Sequence, residues 1–485
     1  MRSLLQNRLY LAYAFLAVVI AGITSRTNFG HLCGDEYSQI LEFAAWKMGH
    51  VNYSDLRLWE FESRMRPSIQ IWMVVGVFRF LELFGSDANP FLASYLLNFL
   101  GGLLGIVSIV VFTGAFITRI NPKYRDWFVL LSLFSWLVLY TNTHFNSENI
   151  SGHLLLLAVG LLYGRIDRPG VLPITACGLL LGLSFSCRFQ LGFGIAGLLA
   201  WFFLSARRGK VIGLWVLLCA SLLASVLVFG IVADYFFYGE FVIAPFNYYT
   251  QNIGTGKMDR LFGTAPWYAY IPLVSIYLPF GPAYVLSTVN HLLRHRNDIL
   301  TFIIAPFVLF HCMIGHKEVR FMLPLLGLMP FVVMTALQDL LREYPLPEKK
   351  LSLAVRAVWI INLLACLSLL IPSATEIGGW RFIHDHYRKP TILYFNASPH
   401  QKLLYYRRPD LKVIPVKAGD AMPCPSGYDC LLAVDANSRE PKPDLPRVYS
   451  LFPLHLDTIL PQFIVRAIGH FDIYELRRAD PVKSD

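Results

Sequence analysis

The stretch Phe91–Ile117, FLASYLLNFLGGLLGIVSIVVFTGAFI, holds no charged residue. It runs past the ~20 apolar residues that one helix needs to cross a bilayer. Comparable runs lie on both sides of it: Tyr10–Thr24, Ser68–Phe84, Trp127–Tyr140, Gly152–Tyr163, Leu172–Ser186, Leu191–Ser205, Val211–Ala233, Tyr268–Val289, Leu300–Ile314, Phe321–Leu337 and Leu353–Ile371. Composition agrees. The 485 residues are 55% hydrophobic, 14% aromatic and only 15% charged, where a soluble domain carries about 25% charged residues. A mean hydropathy of +0.50 is more than one water-soluble core can hide, so the excess faces lipid. Arg2 and Arg8 precede the first run like the head of a signal peptide, but no small-x-small cleavage site follows, and an uncleaved first helix is expected.

The net charge of +10 does not point to nucleic acid. The Lys and Arg residues sit in short loops between apolar runs, without a basic stripe carrying aromatics. That is the pattern of cytoplasmic loops beside anionic headgroups. Their groups are Arg119, Lys123 and Arg125; Arg165 and Arg168; Arg207, Arg208 and Lys210; Arg294 and Arg296; Lys349 and Lys350. Placing all of them in the cytoplasm puts the Asp234–Pro266 loop, the Gly315–Arg320 turn and everything after Pro372 on the far side. Between Pro67 and Arg119 two helices are expected, although the charges ask for an odd number of crossings. The reading is a polytopic α-helical membrane protein of about eleven spans, within roughly ten to thirteen.

Residues 1–372 are expected to form the membrane catalytic part, with an acidic first extracytoplasmic loop over 28–66 and a second over 234–266. Residues 373–485 have ordinary soluble composition and are expected to form a small α/β domain on the lumenal or periplasmic side. Thr391–Phe395, Leu431–Val434 and Phe471–Leu476 read as strands, and Leu403–Tyr406 as helical. Of eight cysteines, most lie in apolar runs; Cys424 and Cys430 lie in the tail and can pair if it faces an oxidising compartment. No Cys/His cluster has zinc spacing. The two halves of the chain do not match, which argues against a transporter built from repeats.

Two polar stretches carry the chemistry. Adjacent carboxylates, Asp35 and Glu36, are ordinary in a solvated loop, but Gln39, Trp59, Glu60 and Arg66 stand nearby in the sequence, the mix of acids, amides and flat rings that suits a sugar. Gly315-His316-Lys317-Glu318-Val319-Arg320-Phe321 packs a histidine and three charges between two apolar runs. The neighbouring charge pattern puts this turn outside, against the positive-inside tendency, and anion binding is the obvious reason. Asn146, Glu148 and Arg188 sit near helix ends, where ionisable residues are functional or mutually paired. Together these residues suit a sugar carried on an isoprenoid phosphate. The leaving phosphate needs cations, the acceptor hydroxyl needs one base, and a single carboxylate suffices for direct inverting displacement.

The chain resembles glycosyltransferase family 22, the GT-C membrane enzymes that include mannosyltransferases of N-glycan lipid precursors and of the GPI anchor. His316-Lys317-Glu318-Val319-Arg320-Phe321 with Pro324 resembles the family's His-Lys-Glu-x-Arg-Phe-x-x-Pro signature. Asp35 to Glu42, with Trp59-Glu60 and Arg66-Pro67, resembles its first loop. Asp234, Tyr238-Gly239, Pro245-Phe246-Asn247, Asn252 and Pro266-Trp267-Tyr268 resemble its second. Thr143–Glu148 is loosely similar to a Thr-x-Ser-Asn-x-x-Glu stretch. The likeness runs from about Asp35 to Pro330. Two departures stand out: Gly34 where the family has Pro, and Phe189-Gln190 where it often has Pro-Thr after Arg188.

The resemblance implies that Asp35 is the general base, with Glu36 the alternative. Lys317 and Arg320 would grip the donor phosphate, with His316 and Glu318 shaping the site. Gln39, Trp59, Glu60, Arg66, Arg188, Asn247 and Trp267 would meet substrate. The implied donor is dolichyl- or another polyprenyl-phosphate mannose and the acceptor a lipid-linked glycan, with no metal or cofactor required. The membrane would be that of the endoplasmic reticulum or a bacterial inner membrane, with the site on the lumenal or periplasmic face. The rivals are a GT-C transferase moving an arabinose-type sugar, which the His316–Phe321 signature disfavours, and a non-enzymatic lipid or sugar transporter.

Overall fold

The computed structural model describes residues 7–56, 59–85, 89–166, 169–205, 210–395, 404–408, 410–417, 419–435, 443–451 and 471–476. Of the basic groups above, Arg2, Arg168, Arg207 and Arg208 lie outside these residues, as does Leu403.

Helix α1 (Arg8–Thr27) starts where the Asn7 side chain accepts the Leu9 N–H, a standard way to satisfy a free helix-end donor. After it, a π-helical turn (Glu36–Leu41) runs into α2 (Glu42–Lys47). Then come α3 (Ile69–Glu82) and α4 (Pro90–Phe116). Helix α4 is capped by Asn89 and begins on Pro90, which has no N–H to leave unsatisfied. The region expected as the single span Trp127–Tyr140 is two helices, α5 (Arg125–Phe134) and α6 (Trp136–Asn142). Ser135 between them is extended, and Asn362 takes the Trp136 N–H at 2.6 Å. A distant side chain therefore holds open a break that the local sequence does not demand.

Next follow α7 (Ser147–Tyr163), α8 (Val171–Cys187), α9 (Gly192–Ser205) and α10 (Lys210–Val226), which continues through a π-helical stretch to Tyr238. The expected Tyr268–Val289 span is also broken, into α11 (Tyr270–Tyr277) and α12 (Gly281–Arg294), with Phe280 in the left-handed region at φ 61°. Helix α13 (Ile299–Met313) follows. A 3-10 stretch (Val319–Leu328) then leads into α14 (Met329–Glu343), and α15 (Glu348–Cys366) and α16 (Thr375–His386) come after.

Among the described residues five helical stretches are long and apolar enough to cross a membrane: Arg8–Thr27, Pro90–Arg119, Ile212–Tyr238, Val319–Glu343 and Glu348–Leu370. Helices α12 and α13 pass the same test together, bent by 119°. The remaining apolar helices are shorter, so length and composition do not reach a count of about eleven.

Helix α3 shows where the charge count failed. Its 14 residues span about 21 Å, short of a ~30 Å hydrocarbon core. At its start Ser68 donates from both N and Oγ to Asp234, at 2.8 and 2.7 Å, and the Trp72 indole donates to the Ala233 carbonyl. Towards its end Phe78 meets the ring of His50 and, 5.7 Å between centroids, that of Tyr405 in the C-terminal domain. Its start thus meets the far end of the long Ile212–Tyr238 helical stretch, and its end meets the first loop and the tail. This leaves α4 as the one long helix between Pro67 and Arg119, an odd crossing.

The helix ends sort into two sets. Arg119 pairs with Asp298, Lys123 with Glu348 and Arg294 with Glu343, so these three basic groups collect at one end of the bundle. At the other end Asn28 bonds the carbonyls of Ser368 and Ile371, and Phe29 accepts from Ser373. The start of the tail is thereby tied to the end of α1.

The tail carries a five-stranded sheet, order β2-β1-β3-β5-β4, with β1 Thr391–Phe395, β2 Leu411–Pro415, β3 Asp429–Asp435, β4 Arg447–Tyr449 and β5 Phe471–Glu475. The first three strands run parallel, and β5 pairs antiparallel with β3 and β4. Cys424 and Cys430 are disulfide-bonded. Leu404–Tyr406 forms one 3-10 turn. Its Tyr406 stacks on Phe91 and reaches Ser94, so the sheet is docked directly on α4.

Candidate active site

Four element ends converge where α1 gives way to the first loop. They are the turn before Glu36, the start of α7, the end of α8 and the start of the 3-10 stretch at Val319. Gly152 of α7 makes the approach possible, because a Cβ there would meet the Pro324 carbonyl oxygen at 2.8 Å.

At the centre is Arg320. Its Nη1 lies 2.7 Å from Asp35 Oδ2. Its Nε and Nη2 donate to the two oxygens of Glu318 at 2.6 and 2.8 Å, the forked geometry that favours Arg over Lys. Nη1 also donates to Cys33 Sγ at 3.2 Å. His316 Nε2 sits 3.0 Å from Glu318. Burial opposes ionisation of Asp35, but Arg320, Arg66 and Arg188 outweigh it and hold the carboxyl below its ordinary value. Glu318 behaves the same way: burial raises it, and Arg320 and His316 pull it down. Both are therefore anions at neutral pH.

The adjacent carboxylates part company. The Asp35 side chain is 28% exposed beside Arg320. Glu36 is 4% exposed and turned inward, where it accepts the Leu32 N–H at 3.0 Å and faces His144 Nδ1 at 3.8 Å. His144 is itself tied to Asn28 at 3.0 Å. Of the two acids, Asp35 is the one placed to meet a ligand.

The other cations differ in how far they are committed. Arg66 makes a two-pronged pair with Glu60, at 2.5 and 3.2 Å, and lies over the Tyr248 ring. Arg188 pairs with Glu148 at 3.1 Å and lies over Phe321. Lys317 instead donates to two backbone carbonyls, Ala265 (3.1 Å) and Ile314, and makes no ion pair within 4 Å among the described residues. Burial pulls its ammonium below the ordinary value, with Cys312 and Asp259 opposing. An anion arriving there would reverse that penalty.

The remaining expected residues spread along two cavities. Gln39, Arg66 and Arg188 line a narrow crevice with Gln70, Ser147, Phe189, Gln190 and Tyr248. Trp267 is 68% exposed and lines a separate apolar cavity of about 290 Å³ between α11, α12, α13 and the 3-10 stretch, with Cys312 and Met322. Trp59 lies under the Lys257 ammonium at 3.9 Å. Asn247 donates to the Arg64 carbonyl at 3.1 Å and braces the first loop rather than facing the crevice. Sequence reading did not assign Tyr248, Gln70 or Ser147 to the site. It marked Phe189-Gln190 only as a departure; the Gln190 amide donates to the Tyr248 hydroxyl, and Phe189 meets the Tyr248 ring edge-on.

The sequence is similar to those of known proteins. The sequence model of the Alg9-like mannosyltransferase family matches residues 11–376. The chain belongs to that family. It is 27% identical over 406 residues to GPI mannosyltransferase 3 of Yarrowia lipolytica, covering 80% of this chain and 71% of that protein. It is 26% identical over 333 residues to GPI alpha-1,2-mannosyltransferase 3 of Mus musculus, covering 67% of this chain and 58% of that one. A 187-residue stretch is 35% identical to mouse alpha-1,2-mannosyltransferase ALG9, covering 34% of this chain and 28% of that protein. The chain thus spans well under two thirds of the length of both mouse relatives.

Among solved structures, ArnT from Cupriavidus metallidurans bound to undecaprenyl phosphate superposes with a TM-score of 0.53 at 12% identity, covering 88% of this chain and 93% of that one. This likeness shows the fold alone, a GT-C membrane architecture.

Proposed function

We propose that this chain is an inverting mannosyltransferase that moves a mannosyl residue from a polyprenyl-phosphate mannose, of the dolichyl type, to a lipid-linked glycan at the extracytoplasmic face. One observation carries the reading. Two part-exposed carboxylates, Asp35 and Glu318, stand against Arg320, with Asp35 engaging it at one nitrogen only, and Lys317, which makes no ion pair within 4 Å among the described residues, lies within electrostatic reach of Cys312 on the wall of an apolar cavity. A long lipid tail with a phosphate at its end fits that pairing of chemistries.

In the reaction the acceptor hydroxyl oxygen bonds to the anomeric carbon while the bond from that carbon to the phosphate oxygen breaks. Asp35 takes the hydroxyl proton. A carboxylate held below its ordinary pKa is a weak base, and it serves here because the proton is released late, when the bonded oxygen is strongly acidic. Lys317 holds the charge that grows on the leaving phosphate. Arg320, already engaged by Asp35 and Glu318, aims the base and keeps it ionised.

The names of the relatives favour mannose over an arabinose-type sugar and chemistry over transport. The test is transfer of radiolabelled sugar to a lipid-extractable product by membranes carrying the chain, with polyprenyl-phosphate mannose, arabinose and glucose offered in parallel. Transfer from the mannose donor alone is expected. Transfer from the arabinose donor alone overturns the sugar, and transfer from none overturns the reaction.

A further inference from the structure

The tail reaches past α4 to the loop that carries Asp35. The contact is made by its short 3-10 turn, Leu404–Tyr406. The Leu404 N–H donates to the Tyr37 hydroxyl at 2.7 Å and lies 3.4 Å from Glu42 Oε1. Tyr37 donates its own O–H to the same Glu42 oxygen. Tyr37 is 2% exposed and Glu42 6%, so these bonds are shielded from water. The next three tail residues are engaged as well. The Tyr405 ring meets Phe78 of α3 edge-on. Tyr406 stacks on Phe91 of α4, and its hydroxyl lies 3.1 Å from Ser94. Arg407 lies over the Trp380 ring, within electrostatic reach of Tyr37 and Glu42.

These contacts differ in what they hold. Those of Tyr405 and Tyr406 fasten the tail to α3 and α4. That of Leu404 fastens the π-helical turn Glu36–Leu41, which begins directly after Asp35. Glu42 follows that turn, and its N–H bonds the Tyr37 carbonyl. Tyr37 and Glu42 are therefore joined through backbone and side chains at once. Turns of this kind are rare and collect at functional sites, and here the closing pair is gripped from outside by the tail. Beyond its ion pair with Arg320, Asp35 is placed by the turn that follows it.

Resting on the proposed transfer with Asp35 as its base, we propose that Tyr37 and Glu42 are positioning residues and that the tail is part of the catalytic unit. Through the Leu404 N–H it locks the π-helical turn and so fixes Asp35 against Arg320.

Three variants of the full chain in nanodiscs test this by mannose transfer, with donor and acceptor varied in turn, and by melting curves. Tyr37→Phe removes the hydroxyl and keeps the ring. Leu404→Pro removes the N–H at the first residue of its turn, where proline is tolerated. Tyr406→Phe gives up the Ser94 bond, keeps the stack on Phe91 and leaves the Asp35 turn alone. Tyr37→Phe and Leu404→Pro are each expected to lower kcat about tenfold with both KM values within about twofold, because a base displaced by less than about 1 Å loses rate and not binding. The double variant is expected to be no slower than either single one, since both remove the same contact. Tyr406→Phe is expected to lower the melting midpoint and keep kcat within about twofold. An unchanged kcat in folded Tyr37→Phe, losses that multiply to about a hundredfold in the double variant, or a Tyr406→Phe enzyme as slow as Tyr37→Phe overturns the proposal while transfer still stands. If Leu404→Pro does not fold, the contrast between Tyr37→Phe and Tyr406→Phe decides alone. Absence of wild-type transfer overturns the proposal together with the reading beneath it.

Discussion

Replacing Arg320 by Met removes one guanidinium and leaves two carboxylates, Asp35 and Glu318, without their main partner. The size of the effect on Asp35 follows from the pair. With charge centres about 4 Å apart and an effective dielectric near 20, the attraction is about 4 kcal/mol. The two side chains are 28% and 17% exposed, and water at that exposure brings it to about 2 kcal/mol. Without Arg320, Asp35 therefore rises towards its ordinary value, burial no longer being outweighed by its main cation. In the wild type the acid limb of kcat/KM for mannose transfer lies below the ordinary carboxylate range, because Asp35 stays ionised there. In Arg320→Met the limb is expected to move to higher pH, with the KM for the donor changed less than about threefold. The assay is the pH–rate profile of the purified enzyme from about pH 3 to 8, with a melting curve at each end to show that the variant is folded. A folded variant whose limb stays put while its donor KM rises tenfold or more would refute the reasoning, since Arg320 would then be gripping phosphate and not aiming the base.

Lys317→Ala is expected to raise the KM for the polyprenyl-phosphate donor about tenfold or more and to leave the acceptor KM nearly unchanged, as read from initial rates with each substrate varied. Glu36→Gln is expected to cost about 1–2 kcal/mol of stability through the Leu32 N–H and His144 contacts, seen as a lowered melting midpoint, while kcat stays within about threefold. Asp35 and Glu318 are both held below their ordinary values, so the stability they contribute is complete above the ordinary carboxylate pKa and is lost as pH falls through the lowered ones. Unfolding midpoints followed from pH 7 to 3 are therefore expected to fall only in the acid part of that range. The Cys424–Cys430 bridge closes a loop with a sequence separation of 6, and Cys424→Ser is expected to lower the stability of the C-terminal sheet by about 2 kcal/mol, measured by limited proteolysis of the tail.

The ingredients of the site were legible because they are local. The His316–Phe321 run and the Asp35-Glu36 pair stand out against apolar surroundings wherever the chain folds them. Which acid stays part-exposed beside Arg320 was not legible: neighbours in sequence point apart on a helical turn, and His144, which Glu36 faces and Asn28 holds, comes from elsewhere in the chain. Nor does a hydropathy run say whether it crosses a bilayer or lies along it. Ser68–Phe84 reads as a span, and only the structure shows a helix of 14 residues whose ends meet Asp234 and Tyr405. The breaks at Ser135 and Phe280 have the same character, one held by Asn362 and the other by a left-handed residue inside an apolar run. In the tail, the buried strands β1, β3 and β5 carry continuous apolar patterns and were found. Edge strand β2, with most of its residues exposed or half-buried, and the three-residue β4 carry no such pattern. Phe189-Gln190 was visible as a departure, but its place in the crevice depends on Tyr248 reaching it from the second loop.

The measurement closest to the central claim is transfer of labelled mannose from polyprenyl-phosphate mannose to a lipid-extractable product by Asp35→Asn beside the wild type. The substitution keeps the size of the side chain and removes the base together with its ion pair to Arg320. A fall in kcat of about a hundredfold or more, with both KM values little changed, is the result the account predicts. Full activity in a folded Asp35→Asn enzyme would contradict it.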